Sequence, residues 1–107
     1  MITIYQNRCN ETSAEGKKNV KFKMMLGAKN WESCFARYYL ASYEVATDDL
    51  EEAFELTNLW NDMDKINFLT DPGPSSSVGD IFVLNGQCFI VDNFGFTQVR
   101  YPSTYFG

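Results

Sequence analysis

The sequence predicts an α+β fold: a mainly antiparallel β-sheet with one helix packed on one face and a C-terminal β-hairpin. Three observations predict it: Asn85-Gly86 between two apolar runs, an acidic amphipathic segment from Asp48, and an aromatic-rich alternating run at residues 36–45. A chain of 107 residues corresponds to about one domain. Its hydrophobic content of 45% suffices for one modest core. We therefore expect residues 1–107 to form a single domain.

The N-terminal part predicts two strands separated by a less regular segment. Residues 2–5 are β-branched and aromatic and predict a strand, whereas residues 7–19 are polar and predict a loop. Residues 20–34 alternate at first and then meet a glycine, which leaves a strand and a helical turn both open. Residues 36–45 predict an inner strand, since both faces are partly apolar. Simple alternation places five of its side chains on one face: Arg37, Tyr39, Ala41, Tyr43 and Val45.

Residues 48–59 predict the helix. Asp48 is the expected N-cap, and Glu51 three residues later completes a capping box. The apolar side follows helical spacing. Its members are Leu50, Ala53, Phe54, Leu56, Thr57 and Leu59, and the exposed face carries Glu51, Glu52, Glu55 and Asn58.

The C-terminal part predicts a loop followed by the hairpin. Residues 60–77, with Pro72-Gly73-Pro74 and three serines, predict a loop. Asn85-Gly86 predicts a type I′ turn, which fixes the register so that Leu84 faces Gln87 and Ile81 faces Ile90. A turn at residues 94–96 then leads into a last strand at residues 97–101.

The composition weakens the case for an enzyme. The chain has no histidine, which removes Ser-His-Asp and Cys-His catalysis and His-ligated zinc sites. Its three cysteines are widely spaced and form no CxxC pair, so we expect reduced thiols and no metal or other cofactor. Neither a signal peptide nor a run of about 20 apolar residues is present, which predicts a cytoplasmic protein without a membrane span.

Charge is divided unevenly along the chain. Residues 1–40 hold seven basic and three acidic residues, whereas residues 41–107 hold two basic and eleven acidic ones. This division favours either two ordinary solvated faces or a charged surface that attracts a partner. A net charge of −5 disfavours direct nucleic-acid binding and leaves an acidic DNA mimic open. The acidic binding candidates are Asp48, Glu51, Glu52 and Glu55.

The loop before the hairpin is a second candidate site. Ser75, Ser76, Ser77 and Asp80 surround Gly79, where backbone N–H groups can cradle an anion. The alternative is a hydrogen-bonded loop that leads into a strand. Asp80 and Asp92 flank the hairpin and form either an acid–base pair or two separate turn-bonding residues.

Three segments together resemble the YodL-like family of small phage, plasmid and bacterial proteins. They are residues 47–58 (TDDLEEAFELTN), 75–86 (SSSVGDIFVLNG) and 91–96 (VDNFGF), and the resemblance covers residues 38–99 approximately. The chain departs from the family pattern at Asn93, where the family has serine, and at Ile81-Phe82. Residues 8–35, with most of the lysines, lie outside it. The resemblance implies a phage or mobile-element origin and a host-cytoplasm location, but no settled activity. Phe94 and Phe96 are further binding candidates, and the alternative is that the Phe-Gly-Phe segment is structural.

Taken together, these observations predict a non-enzymatic accessory protein that binds a host or phage protein and inhibits defence or another host process. The alternatives are a small-ligand or nucleotide-binding domain that uses the loop at residues 75–80, an acidic DNA mimic, and a homo-oligomeric structural protein. A small sheet with an unpaired edge also makes a homodimer an expected arrangement.

Overall fold

The computed structural model describes residues 1–7, 39–69 and 75–100. In those residues, one antiparallel sheet of six strands carries a helix on one face, which confirms the predicted α+β fold. Predictions for residues 8–38, 70–74 and 101–107 lie outside the described residues. The elements are β1 (Ile2–Asn7), β2 (Tyr39–Val45), α1 (Leu50–Leu59), a 3-10 turn (Met63–Lys65), β3 (Ile66–Phe68), β4 (Ile81–Leu84), β5 (Gln87–Val91) and β6 (Phe96–Val99).

The strand order in the sheet is β3-β2-β1-β4-β5-β6, with β1 near the centre. The β4–β5 hairpin has the predicted register, in which Leu84 faces Gln87 and Ile81 faces Ile90. Asn85 (φ 52°) and Gly86 (φ 77°) both have positive φ, as a type I′ turn requires. The Asn-Gly pair therefore sets the pairing of two strands.

Both faces of the sheet are buried. On one face, side chains of β1, β2, β4 and β5 pack against Ala53 and Leu56 of α1. On the other face, Tyr5, Ile81, Cys88 and Ile90 are also buried. The sheet residues on the α1 side are Ile2, Ile4, Tyr43, Val45, Phe82 and Val91.

A β-bulge in β2 corrects the predicted face assignment. Ile4 lies opposite Tyr43, whereas the next residue, Tyr5, lies opposite Ala41, so Ser42 is an extra residue in β2. Cross-strand partners share a face and consecutive residues of β1 do not. Tyr43 therefore faces α1 whereas Ala41 faces the other side, and the predicted single face is wrong.

The N-cap of α1 lies one residue later than predicted. Asp49, not Asp48, is the N-cap, and its Oδ1 accepts from the N–H groups of Glu51 (3.0 Å) and Glu52 (3.3 Å). The Asp49 N–H donates to Thr47 Oγ1. Thr47 therefore accepts from the N-cap N–H, the role that the predicted capping box gave to Glu51. At the other end, Leu59 is 60% exposed and does not extend the apolar side.

A short edge strand, β3, occupies part of the segment that was predicted to be a loop. Ile66 is buried opposite Val45 of β2. Trp60 ends α1 in the left-handed conformation (φ 53°), which turns the chain back toward the sheet. The Trp60 ring stacks on the Phe68 ring with the centroids 6.1 Å apart, and it meets the Tyr43 ring edge-on with the centroids 5.6 Å apart. These contacts hold β3 against β2.

Candidate functional site

Two of the three serines of the predicted anion loop bond to α1 and to the residue that follows it. Ser75 Oγ accepts from Trp60 Nε1 at 3.3 Å. Ser76 is buried, and its hydroxyl shares a hydrogen bond with the hydroxyl of Thr57. Thr57 Oγ1 donates to the Ala53 carbonyl at 2.8 Å, so Ser76 is the donor between the two hydroxyls. These bonds fasten the loop to the helix.

Asp80 and the backbone around Gly79 bond within the loop and to the sheet. Asp80 Oδ2 accepts from the Ser77 N–H (3.0 Å) and from Gln6 Nε2 (3.2 Å). The Asp80 N–H donates to the Ser77 carbonyl, and the Gly79 N–H donates to the Val91 carbonyl. These N–H groups already have partners within the protein. The arrangement therefore favours the interpretation as a hydrogen-bonded loop that leads into β4, rather than the interpretation as an anion-binding site.

Asp92 organises the turn between β5 and β6. Its Oδ1 accepts from the Asn93 N–H (2.8 Å), and its Oδ2 accepts from Thr97 Oγ1 (2.7 Å). The Asp92 N–H donates to the Gly95 carbonyl. Asp92 and Asp80 thus bond to different groups, as the turn-bonding alternative expects, and the tight turn exposes 97% of Phe94 at its tip.

A groove of 380 Å³ lies between α1 and this turn. We call it the acidic groove. Its apolar floor is formed by Phe54, Val78, Val91 and Phe96, and its rim by Glu51, Glu55, Asp92, Asn93 and Gly95. The predicted candidates Glu51, Glu55, Asp92 and Phe96 therefore come together at one place.

The floor is held by aromatic contacts with the core. The rings of Phe96 and Phe54 meet edge-on with their centroids 6.4 Å apart. The ring centroid of Phe96 lies 5.2 Å from that of buried Phe82. The edge-to-face pair is favourable beyond the area that it buries. The groove is therefore a preformed surface whose floor belongs to the packing of α1 on the sheet.

The groove suits a long cationic side chain. Glu51, Glu55 and Asp92 bring three carboxyl groups to the rim, and none of the described lining residues is basic. Lysine and arginine have apolar stems that pack on apolar surface while their charged ends meet polar groups. Aromatic faces such as those of Phe54 and Phe96 also attract cations.

The remaining predicted acids lie outside the groove. Asp48 pairs with the N-terminal amine of Met1. Glu52 borders a smaller hollow of 280 Å³ with Glu55, Asn61 and Asp62. The acidic residues of α1 therefore divide between two surfaces, and Glu55 belongs to both.

Three floor residues were missing from the predicted site. Phe54 was assigned to the core, although its spacing from Glu51 and Glu55 places all three on one side of a helix. Val78 and Val91 carry no local signal, because only the tertiary fold brings them beside α1. Sequence reasoning thus identified the charged residues and Phe96, but not the other three residues of the apolar floor.

The described part of the chain contains no cluster of three or more potential metal-ligating His, Cys, Asp or Glu residues. Cys88 is buried in β5, and burial raises the pKa of its thiol to about 11. A thiol in this environment is a poor nucleophile near neutral pH.

Among the described residues, no helix has the length and apolar character that a membrane span requires. Comparisons of the chain with protein-family models, curated proteins and solved structures found no match. The functional argument therefore depends on the acidic groove itself.

Proposed function

We propose that the protein is a non-enzymatic module that binds another protein through the acidic groove. The groove receives a lysine or arginine side chain from an exposed segment of the partner. The observation that carries this proposal is the combination of three rim carboxyl groups with a floor of aromatic and aliphatic side chains. That combination complements both the charged end and the apolar stem of a basic residue.

Phe94 supports a protein partner. A phenylalanine that is 97% exposed beside the groove offers a large apolar surface to a second molecule. Aromatic residues, phenylalanine among them, are enriched in the cores of protein interfaces. A partner that covers both Phe94 and the groove gains apolar burial and charge complementarity together.

The wider biological role that we propose is that of an accessory protein of a phage or mobile element. It binds a host or phage protein in the host cytoplasm and inhibits defence or another host process. The resemblance of residues 38–99 to the YodL-like family supports this role. The acidic excess of residues 41–107 supports a basic partner surface, since charge complementarity speeds association.

The test compares two variants with the same change of charge. Glu51→Gln/Glu55→Gln removes two rim carboxylates, whereas Asp62→Asn/Asp64→Asn changes two residues that do not line the groove. Proteins captured from a host lysate are identified by mass spectrometry, purified and titrated calorimetrically. We expect the groove variant to bind its partner about tenfold more weakly or worse, and the control to bind like the wild type.

Two results would contradict the proposal. One is the failure to recover any partner that binds saturably. The other is equal affinity of the two double variants for the purified partner, because a groove that recognises a basic side chain must depend on its own carboxylates.

A further inference from the structure

The turn between β4 and β5 consists of Asn85 and Gly86, and both residues are exposed to solvent. Asn85 alone among the asparagines of the full sequence precedes a glycine. A Cβ atom on Gly86 would meet no atom beyond its chain neighbours within 4 Å, so the backbone there is open to water. Because glycine has no side chain, its backbone nitrogen is also the least hindered of any residue. The pair thus has the composition and the exposure that a reaction between the Asn85 side chain and the Gly86 nitrogen requires.

We propose that Asn85 is a site of spontaneous deamidation and that the native hairpin holds this reaction back. The Gly86 nitrogen attacks Asn85 Cγ, so that a bond forms between these two atoms and the bond between Cγ and Nδ2 breaks. The side-chain amide leaves as ammonia, which takes up the Gly86 proton. Water then opens the cyclic imide at either carbonyl carbon and leaves aspartate or isoaspartate. Nothing is oxidised or reduced, and water is the co-reactant.

The native turn keeps the two reacting atoms apart. Asn85 and Gly86 have φ of 52° and 77°, as in a type I′ turn, where ψ of the first residue is about +30°. At a tetrahedral Cα, this ψ places the Gly86 nitrogen almost opposite Cβ across the Cα–C bond. Ring closure requires a rotation that brings the nitrogen to the same side as Cβ. That rotation breaks the turn that pairs Leu84 with Gln87, so deamidation requires this end of the hairpin to open.

The two products differ in their effect on the sheet. Aspartate keeps the turn, because Asp-Gly is also favoured in the type I′ conformation. Isoaspartate carries the chain through Cβ and Cγ and thereby adds one backbone carbon to a two-residue loop. Since the turn type and loop length fix the register of a hairpin, the added carbon disturbs the pairing of strands that carry buried Phe82 and Ile90. A transient opening of the hairpin thus becomes permanent when it ends in isoaspartate.

Peptide mapping by mass spectrometry tests the proposal on the full chain, incubated at mildly alkaline pH either native or in guanidinium chloride. We expect Asn85 to deamidate about tenfold more slowly or less in the native protein, because the native turn opens only transiently. Asn93 is the internal control, since it is also exposed but precedes Phe94, and it should keep its amide over the same period. Gly86→Ala in guanidinium chloride, where the fold has no influence, should slow the reaction because a methyl group then stands beside the attacking nitrogen.

Asn85→Asp separates the added charge from the added backbone carbon. We expect this variant to unfold at the same urea concentration as the unmodified protein, whereas the isoaspartate fraction of aged protein unfolds at a lower one. Equal rates at Asn85 in native and denatured protein would overturn the protection by the turn. A rate at Asn85 no higher than at Asn93 in denaturant would overturn the site, and an isoaspartate fraction as stable as Asn85→Asp would overturn the effect on the register. These measurements need no binding partner and are therefore independent of the proposed function.

Discussion

The two outer strands of the sheet are anchored in different ways. At one edge, β3 has three residues, and the aromatic group of Tyr43, Trp60 and Phe68 holds it. At the other edge, β6 has four residues, and Phe96 secures it beside the acidic groove. The β3 edge is thus held by aromatic packing, whereas the β6 edge lies beside the carboxyl groups of the acidic groove. Substitutions on the two edges test this difference.

The largest expected effect is on the β3 side. Tyr43 is fully buried and contacts both Trp60 and Phe68 through ring edges. Tyr43→Ala leaves a cavity between β2 and the end of α1, and we expect it to lower the free energy of unfolding by about 3–5 kcal/mol. Urea denaturation followed by circular dichroism measures the change.

Phe68→Ala is the matched control for this side, because Phe68 belongs to the same aromatic group but is 38% exposed. We expect it to cost about 1–2 kcal/mol. If the two alanine variants lost equal stability, the description of Tyr43 as the centre of the group would be wrong.

Phe96→Ala measures the corresponding loss in the free energy of unfolding on the β6 side. Phe96 is half-buried and contacts Phe54 and Phe82, so we expect a loss of about 1–2 kcal/mol in urea denaturation. The loss is smaller than that for Tyr43→Ala because half-buried Phe96 leaves a smaller cavity. A loss as large as that for Tyr43→Ala would mean that both edges depend on buried aromatic packing to the same degree.

Cys88 reports on the opening of the β6 edge, because it pairs with Val99 of β6. Burial raises the pKa of its thiol from 9.0 to about 11, which reduces its thiolate at pH 8 by about a hundredfold. In a Cys9→Ser/Cys34→Ser background, we expect a thiol reagent to label native protein about a hundredfold more slowly than urea-unfolded protein. Labelling at the unfolded rate would show that β6 detaches readily.

The same shift predicts a pH dependence with a definite sign. As pH rises above 9.0, the unfolded chain releases the Cys88 proton, while the native chain retains it until about pH 11. The native state then binds more protons, so the free energy of unfolding falls through this interval. Relative to Cys88→Ala, the protein loses stability between these pH values; parallel pH profiles of the two proteins would contradict the assignment.

The smallest expected effect is that of Phe94→Ala. Its side chain is 97% exposed, and we expect the free energy of unfolding to change by less than about 0.5 kcal/mol. Calorimetric titration of the purified partner is expected to show weaker binding. A large loss of stability would instead make Phe94 part of the fold.

Local sequence signals predicted the elements whose chemistry is local. Asn85-Gly86 gave the hairpin and its register because positive φ at two positions demands those residue types. The helix was found from its spacing, but the cap moved by one residue because Asp48 and Asp49 are adjacent acids. The strand β3 was missed, since three residues within a longer polar segment carry no periodic signal.

Local signals also predicted only part of the candidate site. Glu51, Glu55, Asp92 and Phe96 stood out by charge or motif, and all four line the groove. Ser76 and Asp80 also stood out, but polar residues that close a loop have the same composition as those that bind a ligand. Phe54 shares one side of α1 with Glu51 and Glu55, whereas Val78 and Val91 join the site through tertiary packing, which no single segment encodes.

The extra residue at Ser42 has a consequence for how β2 varies among related chains. Because it shifts the alternation by one position, Tyr39 and Tyr43 serve opposite sides of the sheet despite their even spacing. A relative with a straight strand would align to this chain only with a one-residue gap near position 42. A deletion at that point would bring residues before the bulge to the helix side, so insertions and deletions in β2 exchange whole sets of core side chains.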